Sequence, residues 1–182
     1  MSTTTIPLET DRLTLRVFRE ADIEPLYRIQ SNAQAMRYTY HAPSFEAAAQ
    51  RLRAYAAQHE QLGFAPWTVV LRTKERLIGW GGLNVDPFDP GWGIEVAYFF
   101  HPAYWGQGFG TELVQASVEQ GFTKHNLSEI NAFVHPDNLA SARVLEKCGF
   151  KCQCFEPKLD RNRYVIDQKQ WKVGDSHAKS TP

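Results

Sequence analysis

The tightest constraint on this chain is the stretch 99–122, F-F-H-P-A-Y-W-G-Q-G-F-G-T-E-L-V-Q-A-S-V-E-Q-G-F. Gly106, Gly108 and Gly110 alternate with Gln107 and Phe109. Glycine at every second position lets a backbone turn tightly and bring its N–H groups close to a ligand. From Gly110 onward, Leu113, Val114, Ser117, Val118, Gly121 and Phe122 recur at helical spacing and form one face. The stretch predicts a strand end, a tight loop and an α-helix. A helix N-terminus opened by glycines is an anion site, here for a phosphate or diphosphate held by main-chain N–H groups.

Spacing separates the known phosphate loops. A Walker loop places Lys-Ser/Thr directly after its last glycine, whereas Gly110 is followed by Thr111 with no lysine before it. A dinucleotide fingerprint reads G-x-G-x-x-G with an acid about 20 residues on, whereas this chain reads G-x-G-x-G.

The totals narrow the class. A chain of 182 residues suffices for one domain with a sizeable core. Twenty basic and twenty acidic residues give no net charge, so no global basic field draws in nucleic acid. No apolar stretch approaches the roughly 20 residues of a membrane helix. The start, M-S-T-T-T-I-P, lacks the basic and apolar regions of a secretory signal, and the expected location is the cytoplasm. Cys148, Cys152 and Cys154 are an odd set at a spacing that matches no common zinc pattern. They are expected as buried or half-buried free thiols, with no metal site.

In order, the chain predicts a strand over 12–18, a helix over 19–31, a loop over 32–43 and a helix from Ser44 to Leu62 closed by Gly63. Strands follow over 65–72, 77–85 and 92–100, then the glycine loop and its helix. A strand over 129–135, a helix to Cys148 and a hairpin of 151–156 with 163–172 complete it. The expectation is one α/β domain over 1–173, and a polar, disordered tail over 174–182.

The loop Trp105–Gly110 resembles the acyl-CoA loop of the GNAT superfamily of N-acetyltransferases, Q/R-x-x-G-x-G/A, with Trp105 at the first position. Y-W-G-Q-G-F-G-T-E is similar to the branch containing the ribosomal-protein acetyltransferases RimJ and RimL. The resemblance extends to L-E-T-D-R-L-T-L-R (8–16) and to N-x-x-S-x-R-V-L-E-K-x-G-F (138–150). It implies a GNAT-like fold: a central mixed sheet of six to seven strands, flanking helices, and two splayed parallel strands around the pantetheine arm of acetyl-CoA. It also implies transfer of acetyl to an amine acceptor, a protein N-terminus first, and is compatible with a homodimer.

Acyl transfer from a thioester to an amine needs a base for the ammonium, donors for the oxyanion and a proton for the departing thiolate. The resemblance places an acid at Glu95 beside the acceptor, as base directly or through water. His101 and His135 end the two candidate splayed strands and could relay a proton. Gln107, Gly108, Phe109, Gly110 and Thr111 are expected to give N–H groups to the diphosphate, and Phe99 and Phe100 to line the pantetheine channel. Asn138 and Ser141 share one helix face. The family implies cofactor contact for Asn138, and the RimL-like branch implies that Ser141 protonates the thiolate. Many members carry a tyrosine seven residues after this Asn; here that position is Leu145, so Ser141 or water takes that role. Arg143 could meet a phosphate of the cofactor.

For the acceptor, Tyr38, Tyr40, Trp67, Trp80 and Trp92 are candidate pocket walls. Deprotonating an α-amine at pH 7 costs roughly 1 kcal/mol and a lysine roughly 4.6 kcal/mol. One glutamate with water therefore suits an α-amine better. A small amine such as an amino acid, polyamine or antibiotic remains open as acceptor, as does a non-catalytic acyl-CoA-binding module.

Overall fold

The computed structural model describes residues 6–171. The expected tail over 174–182, and Lys172 at the end of the expected last strand, lie outside the described residues. The strands are β1 (Leu8–Glu9), β2 (Leu13–Arg16), β3 (Trp67–Leu71), β4 (Arg76–Asn84), β5 (Glu95–Phe100), β6 (Glu129–Val134), β7 (Lys151–Glu156) and β8 (Arg161–Asp167). The helices are α1 (Ile23–Gln30), α2 (Phe45–Leu62), α3 (Phe109–Thr123) and α4 (Leu139–Lys147). The sheet has eight strands in the order β1-β2-β3-β4-β5-β6-β8-β7. It is the mixed α/β fold expected from the sequence, with the two-residue β1 as an added edge.

Every neighbouring pair is antiparallel except β5 and β6. Those two run parallel and meet at one register pair, Glu95 with Asn131. Asn131 secures that junction: its backbone N–H donates to the Ile94 carbonyl at 3.0 Å, and its side-chain amide donates there at 3.1 Å. Beyond it the strands part, which is the splay that the resemblance implied.

The apolar periodicity sorts the helices onto two faces. Val114, Val118 and Phe122 of α3 pack with Leu145 of α4 over Val96, Ile130 and Ile166. Ile23, Leu26 and Ile29 of α1 pack with Ala49 and Leu52 of α2 over Trp80 and Phe99. A third cluster joins Phe109 and Leu113 to Leu13, Leu15, Val69 and Ile78. The register of β3 with β4 shifts between Val69 and Val70, leaving Ile78 as an extra residue. That bulge turns Ile78 and Trp80 into different clusters despite their two-residue spacing.

Local chemistry sets the boundaries. Ser44 caps α2 by accepting the Ala47 N–H at 3.2 Å, and Gly63 ends it at φ 78°. The helix expected over 19–31 is split into a 3-10 turn (Glu20–Asp22) and α1. The split falls where Pro25 lacks the N–H that would bond the Ala21 carbonyl, and there the Asp22 carboxylate turns inward to Arg16 at 2.7 Å and to the Thr68 hydroxyl at 2.8 Å. The strand expected from Trp92 begins at Glu95, because Pro90–Trp92 forms a 3-10 turn and Gly93 adopts φ 77°. The last strand ends at Asp167 rather than running on. Gln168 bonds the Ser128 and Phe122 carbonyls, and Trp171 packs on Phe122. Cys148 is half-buried, whereas Cys152 and Cys154 lie exposed on the edge strand β7, against the expectation of burial.

Candidate active site

Side chains alternate across a strand, so Glu95, Ala97 and Phe99 point to one face of β5 and Val96, Tyr98 and Phe100 to the other. Because β5 and β6 part just beyond Glu95, the two faces communicate. A cavity of about 850 Å³ passes through the gap. It is lined on the α1/α2 side by Tyr40, Arg51, Tyr55, Trp80 and Glu95, and on the α3/α4 side by Tyr98, Gly110, Asn138, Ser141 and Val144.

The glycine loop borders the second side. Gly106 and Gly108 adopt φ 71° and 84°, a left-handed conformation that favours glycine. Gly108 is the N-cap of α3 and offers no side-chain cap. The first α3 bond runs from the Glu112 N–H to the Gly108 carbonyl at 3.1 Å. The N–H groups of Phe109, Gly110 and Thr111 therefore have no hydrogen-bond partner among the described residues. Free N–H groups at a glycine-opened helix end suit an anionic group.

The residues singled out in the sequence fall into three sets. Gly108, Phe109, Gly110 and Thr111 line the cavity, with Asn138, Ser141 and Arg143 across from them. Asn138 is also the N-cap of α4, accepting the Ser141 N–H at 3.2 Å. Arg143 is exposed and makes no ion pair among the described residues. Phe99 and Phe100 line the cavity but are mainly core: Phe99 stacks on Trp80 at 5.3 Å and Phe100 packs near Tyr98. Gln107 and His101 do not reach the cavity. The Gln107 carbonyl accepts from Arg12, its side chain bonds the Ala103 carbonyl, and His101 caps the turn that follows it. His135 does line the cavity, stacked on Tyr38 at 5.1 Å. Of the proposed aromatic walls, Tyr38, Tyr40, Trp80 and Trp92 reach the cavity, and Trp67 packs instead against the β2–β3 cluster. Leu145, at the family's tyrosine position, is core.

Two features were not legible in the sequence. Tyr98 Oη lies 2.8 Å from Ser141 Oγ, across 43 positions of chain. Burial pushes the Tyr98 phenol up to about 12, with the Ser141 bond opposing it, so the hydroxyl keeps its proton at neutral pH. On the other face, Arg51 sits 4.2 Å from both the Tyr40 and Phe88 ring centroids, and 3.9 Å from Asp86. Glu95 lies in the same region. Burial, with Asp86 adding like charge, pushes its carboxyl up to about 7. A carboxyl held there can take up and release a proton near neutrality.

The site thus offers free N–H groups and a hydroxyl pair on one face of the sheet and a carboxyl on the other, joined through a gap. The chain matches the family model described as Acetyltransferase (GNAT) domain over residues 12–151. It is 34% identical over 146 residues to an uncharacterized N-acetyltransferase, YoaA, of Bacillus subtilis (strain 168), covering 79% of this chain and 82% of that one. It is 28% identical over 159 residues to an aminoglycoside N(6')-acetyltransferase type 1 of Klebsiella pneumoniae, covering 79% and 76%. The fold superposes on the crystal structure of an acetyltransferase from Agrobacterium tumefaciens with a TM-score of 0.79 at 22% identity, covering 92% and 98% of the two chains. The chain belongs to the GNAT family of acetyltransferases.

Proposed function

We propose that this protein transfers the acetyl group of acetyl-CoA to a primary amine, the α-amine of a protein N-terminus, as in the RimJ/RimL-like branch that its loop resembles. The observation that carries the reading is the gap between β5 and β6, with free N–H groups at one end and the Glu95 carboxyl at the other. The residues fit the cofactor. Gly106 leaves open space where a Cβ would stand, and the N–H groups of Phe109, Gly110 and Thr111 would hold the diphosphate, with Arg143 near a phosphate. Bound there, acetyl-CoA supplies an activated acetyl thioester.

The remaining work belongs to the chain. Glu95 takes a proton from the acceptor ammonium, directly or through water. With a carboxyl near 7 and an α-amine near 7.7–8.0, that transfer is uphill by about 1 kcal/mol; from a lysine near 10.4 it is uphill by about 4.6 kcal/mol. This difference favours the α-amine. Ser141 Oγ delivers a proton to the departing thiolate on the opposite face while Tyr98 Oη, hydrogen-bonded to it, passes its proton to Oγ, and solvent in the cavity returns a proton to Tyr98. The two proton sites approach from opposite faces of the sheet, so the acceptor and the cofactor can enter from opposite sides.

A second reading, a small polycationic amine as acceptor, is favoured by Asp86 and Asp89 lining the same cavity as Glu95. The Klebsiella pneumoniae relative, an aminoglycoside acetyltransferase, agrees with it. The test is a thermal shift with acetyl-CoA and NAD in parallel, followed by CoA-release assays on three acceptors. These are a peptide with a free N-terminus, its N-blocked form carrying one lysine, and spermidine. A shift with acetyl-CoA alone and turnover of the free N-terminus support the reading. No shift with acetyl-CoA removes it, and turnover of spermidine alone moves the acceptor to the second reading.

A further inference from the structure

Two stretches of the sequence resemblance, 8–16 and 104–112, touch one another. Thr10 and Arg12 lie just before β2, and Glu112 lies in the first turn of α3. The Thr10 hydroxyl donates to Glu112 Oε1 at 2.6 Å and the Arg12 N–H donates to the same oxygen at 2.8 Å. The Arg12 guanidinium reaches Glu112 Oε2 through Nε and Nη2, each at 2.8 Å. Its third nitrogen, Nη1, donates to the Gln107 carbonyl at 2.8 Å. The same guanidinium lies 4.5 Å above the Phe109 ring centroid, and a Cβ on Gly108 would stand 3.3 Å from Nη2. One arginine therefore contacts Gln107, Phe109 and Glu112 and closes over Gly108.

We propose that Thr10, Arg12 and Glu112 form a latch that holds the 106–111 loop in its anion-binding conformation, making Arg12 a positioning residue for the cofactor's diphosphate. The inference rests on the reading that the N-terminus of α3 holds that diphosphate.

Two physical arguments support it. The first is conformational. Gly106 and Gly108 give the loop its turn, and the same freedom makes the turn costly to hold without an external tie. The Gln107 carbonyl between them is tied to Arg12 and cannot rotate into the cradle. The second is electrostatic. A carboxylate in the first turn of α3 stabilises the helix, but it also repels an anion bound at that helix end. Glu112 is 14% exposed, so water screens it poorly, whereas the Arg12 side chain is 45% exposed and still bonded to it. Burial alone would raise the Glu112 carboxyl. The Thr10 hydroxyl, the Arg12 N–H and the guanidinium instead hold it below the usual carboxylate range, charged and neutralised in place. All of the Arg12 contacts are internal, so it fixes the loop's shape and charge while the N–H groups bind.

The test is calorimetric titration of the protein with acetyl-CoA and, separately, with S-acetylpantetheine, which carries no phosphate. The expected result is that wild type binds acetyl-CoA much more tightly than S-acetylpantetheine. Arg12→Ala then raises the Kd for acetyl-CoA about tenfold, the size of a lost charged hydrogen bond, and leaves the Kd for S-acetylpantetheine within about twofold. Arg12→Ala/Glu112→Gln recovers part of the loss by removing the uncompensated carboxylate. Arg12→Lys keeps the charge but cannot span Glu112 and the Gln107 carbonyl together, and raises the acetyl-CoA Kd about threefold; it serves if Arg12→Ala does not fold. Equal affinity of wild type for the two ligands would overturn the diphosphate reading itself. Wild-type preference for acetyl-CoA that survives both arginine variants, or equal losses for the two ligands, would overturn the latch alone.

Discussion

Replacing Glu95 with Gln should make the protein more stable, and increasingly so as pH rises. Folding raises this carboxyl from the ordinary 4.5 to about 7, chiefly through burial, with Asp86 adding like charge. The folded state therefore keeps the proton over a range in which the unfolded chain has lost it. Linkage then sets the sign. The carboxyl's contribution to stability is fully present below about pH 4.5 and is lost as pH rises through about 7. A difference of about 2.5 pH units, at 1.36 kcal/mol each, is about 3 kcal/mol as an upper value above pH 8. Glutamine has the shape of the protonated acid and never ionises, so Glu95→Gln does not carry that penalty. For a chain of this size, about 3 kcal/mol is a rise of about 6–12 °C in Tm. The assay is differential scanning calorimetry of wild type and variant from pH 5 to 8.5. The expected Tm gap is small at pH 5, widens mainly up to about pH 7 and levels off by pH 8.5, while turnover is lost. A gap that stays flat, or shrinks with pH, would mean that the carboxyl is not held near 7, and the base role would fall with it.

Other outcomes follow from the same geometry. Ser141→Ala should lower kcat by about 10²-fold with little change in the KM for acetyl-CoA, and Tyr98→Phe by about tenfold, read by CoA release with a peptide acceptor. Gly108→Ala should lower stability by about 1–2 kcal/mol and weaken CoA binding, because the residue sits at φ 84° with Arg12 against the new methyl. Gly106→Ala, at φ 71° in open space, should carry the backbone cost alone, so comparing the two by urea unfolding and CoA titration isolates the contact with Arg12. Asp22→Ala should cost about 3–5 kcal/mol in urea unfolding, because Asp22 is 4% exposed and its loss leaves the Arg16 guanidinium uncompensated.

The readable parts of the sequence were those that depend on near neighbours. The face of α3, the Ser44 cap and the Gly63 stop rest on spacings of a few residues, and the helices formed where those spacings placed them. The unbonded N–H groups at the start of α3 were legible for the same reason. Tyr98 was not, because its role is set by Ser141 on another element, and in sequence it is one aromatic in a strand of aromatics. Arg12 and Glu112 stood inside two quoted motifs, yet nothing in either motif says that they meet, 100 residues apart. Trp67, in sequence a candidate pocket wall for its size and aromaticity, packs half-buried against the β2–β3 cluster instead, a choice set by sheet register rather than residue type. The early end of the last strand has the same origin: the Gln168 amide finds its partners in the α3–β6 connection and at the end of α3.

The single register pair between β5 and β6 leaves the sheet open along most of that seam. Among the described residues, the five strands to one side and the three to the other share that one backbone junction and a common core of Val96, Ile130 and Ile166 under α3 and α4. Backbone amides facing the gap have no strand to protect them, so hydrogen exchange there should be fast while amides of β4 and β8 exchange slowly. A ligand whose own amide groups span the gap would act as a missing strand and suppress that exchange. The incomplete sheet would then finish its last ladder only when the cofactor is in place, coupling local rigidity to occupancy.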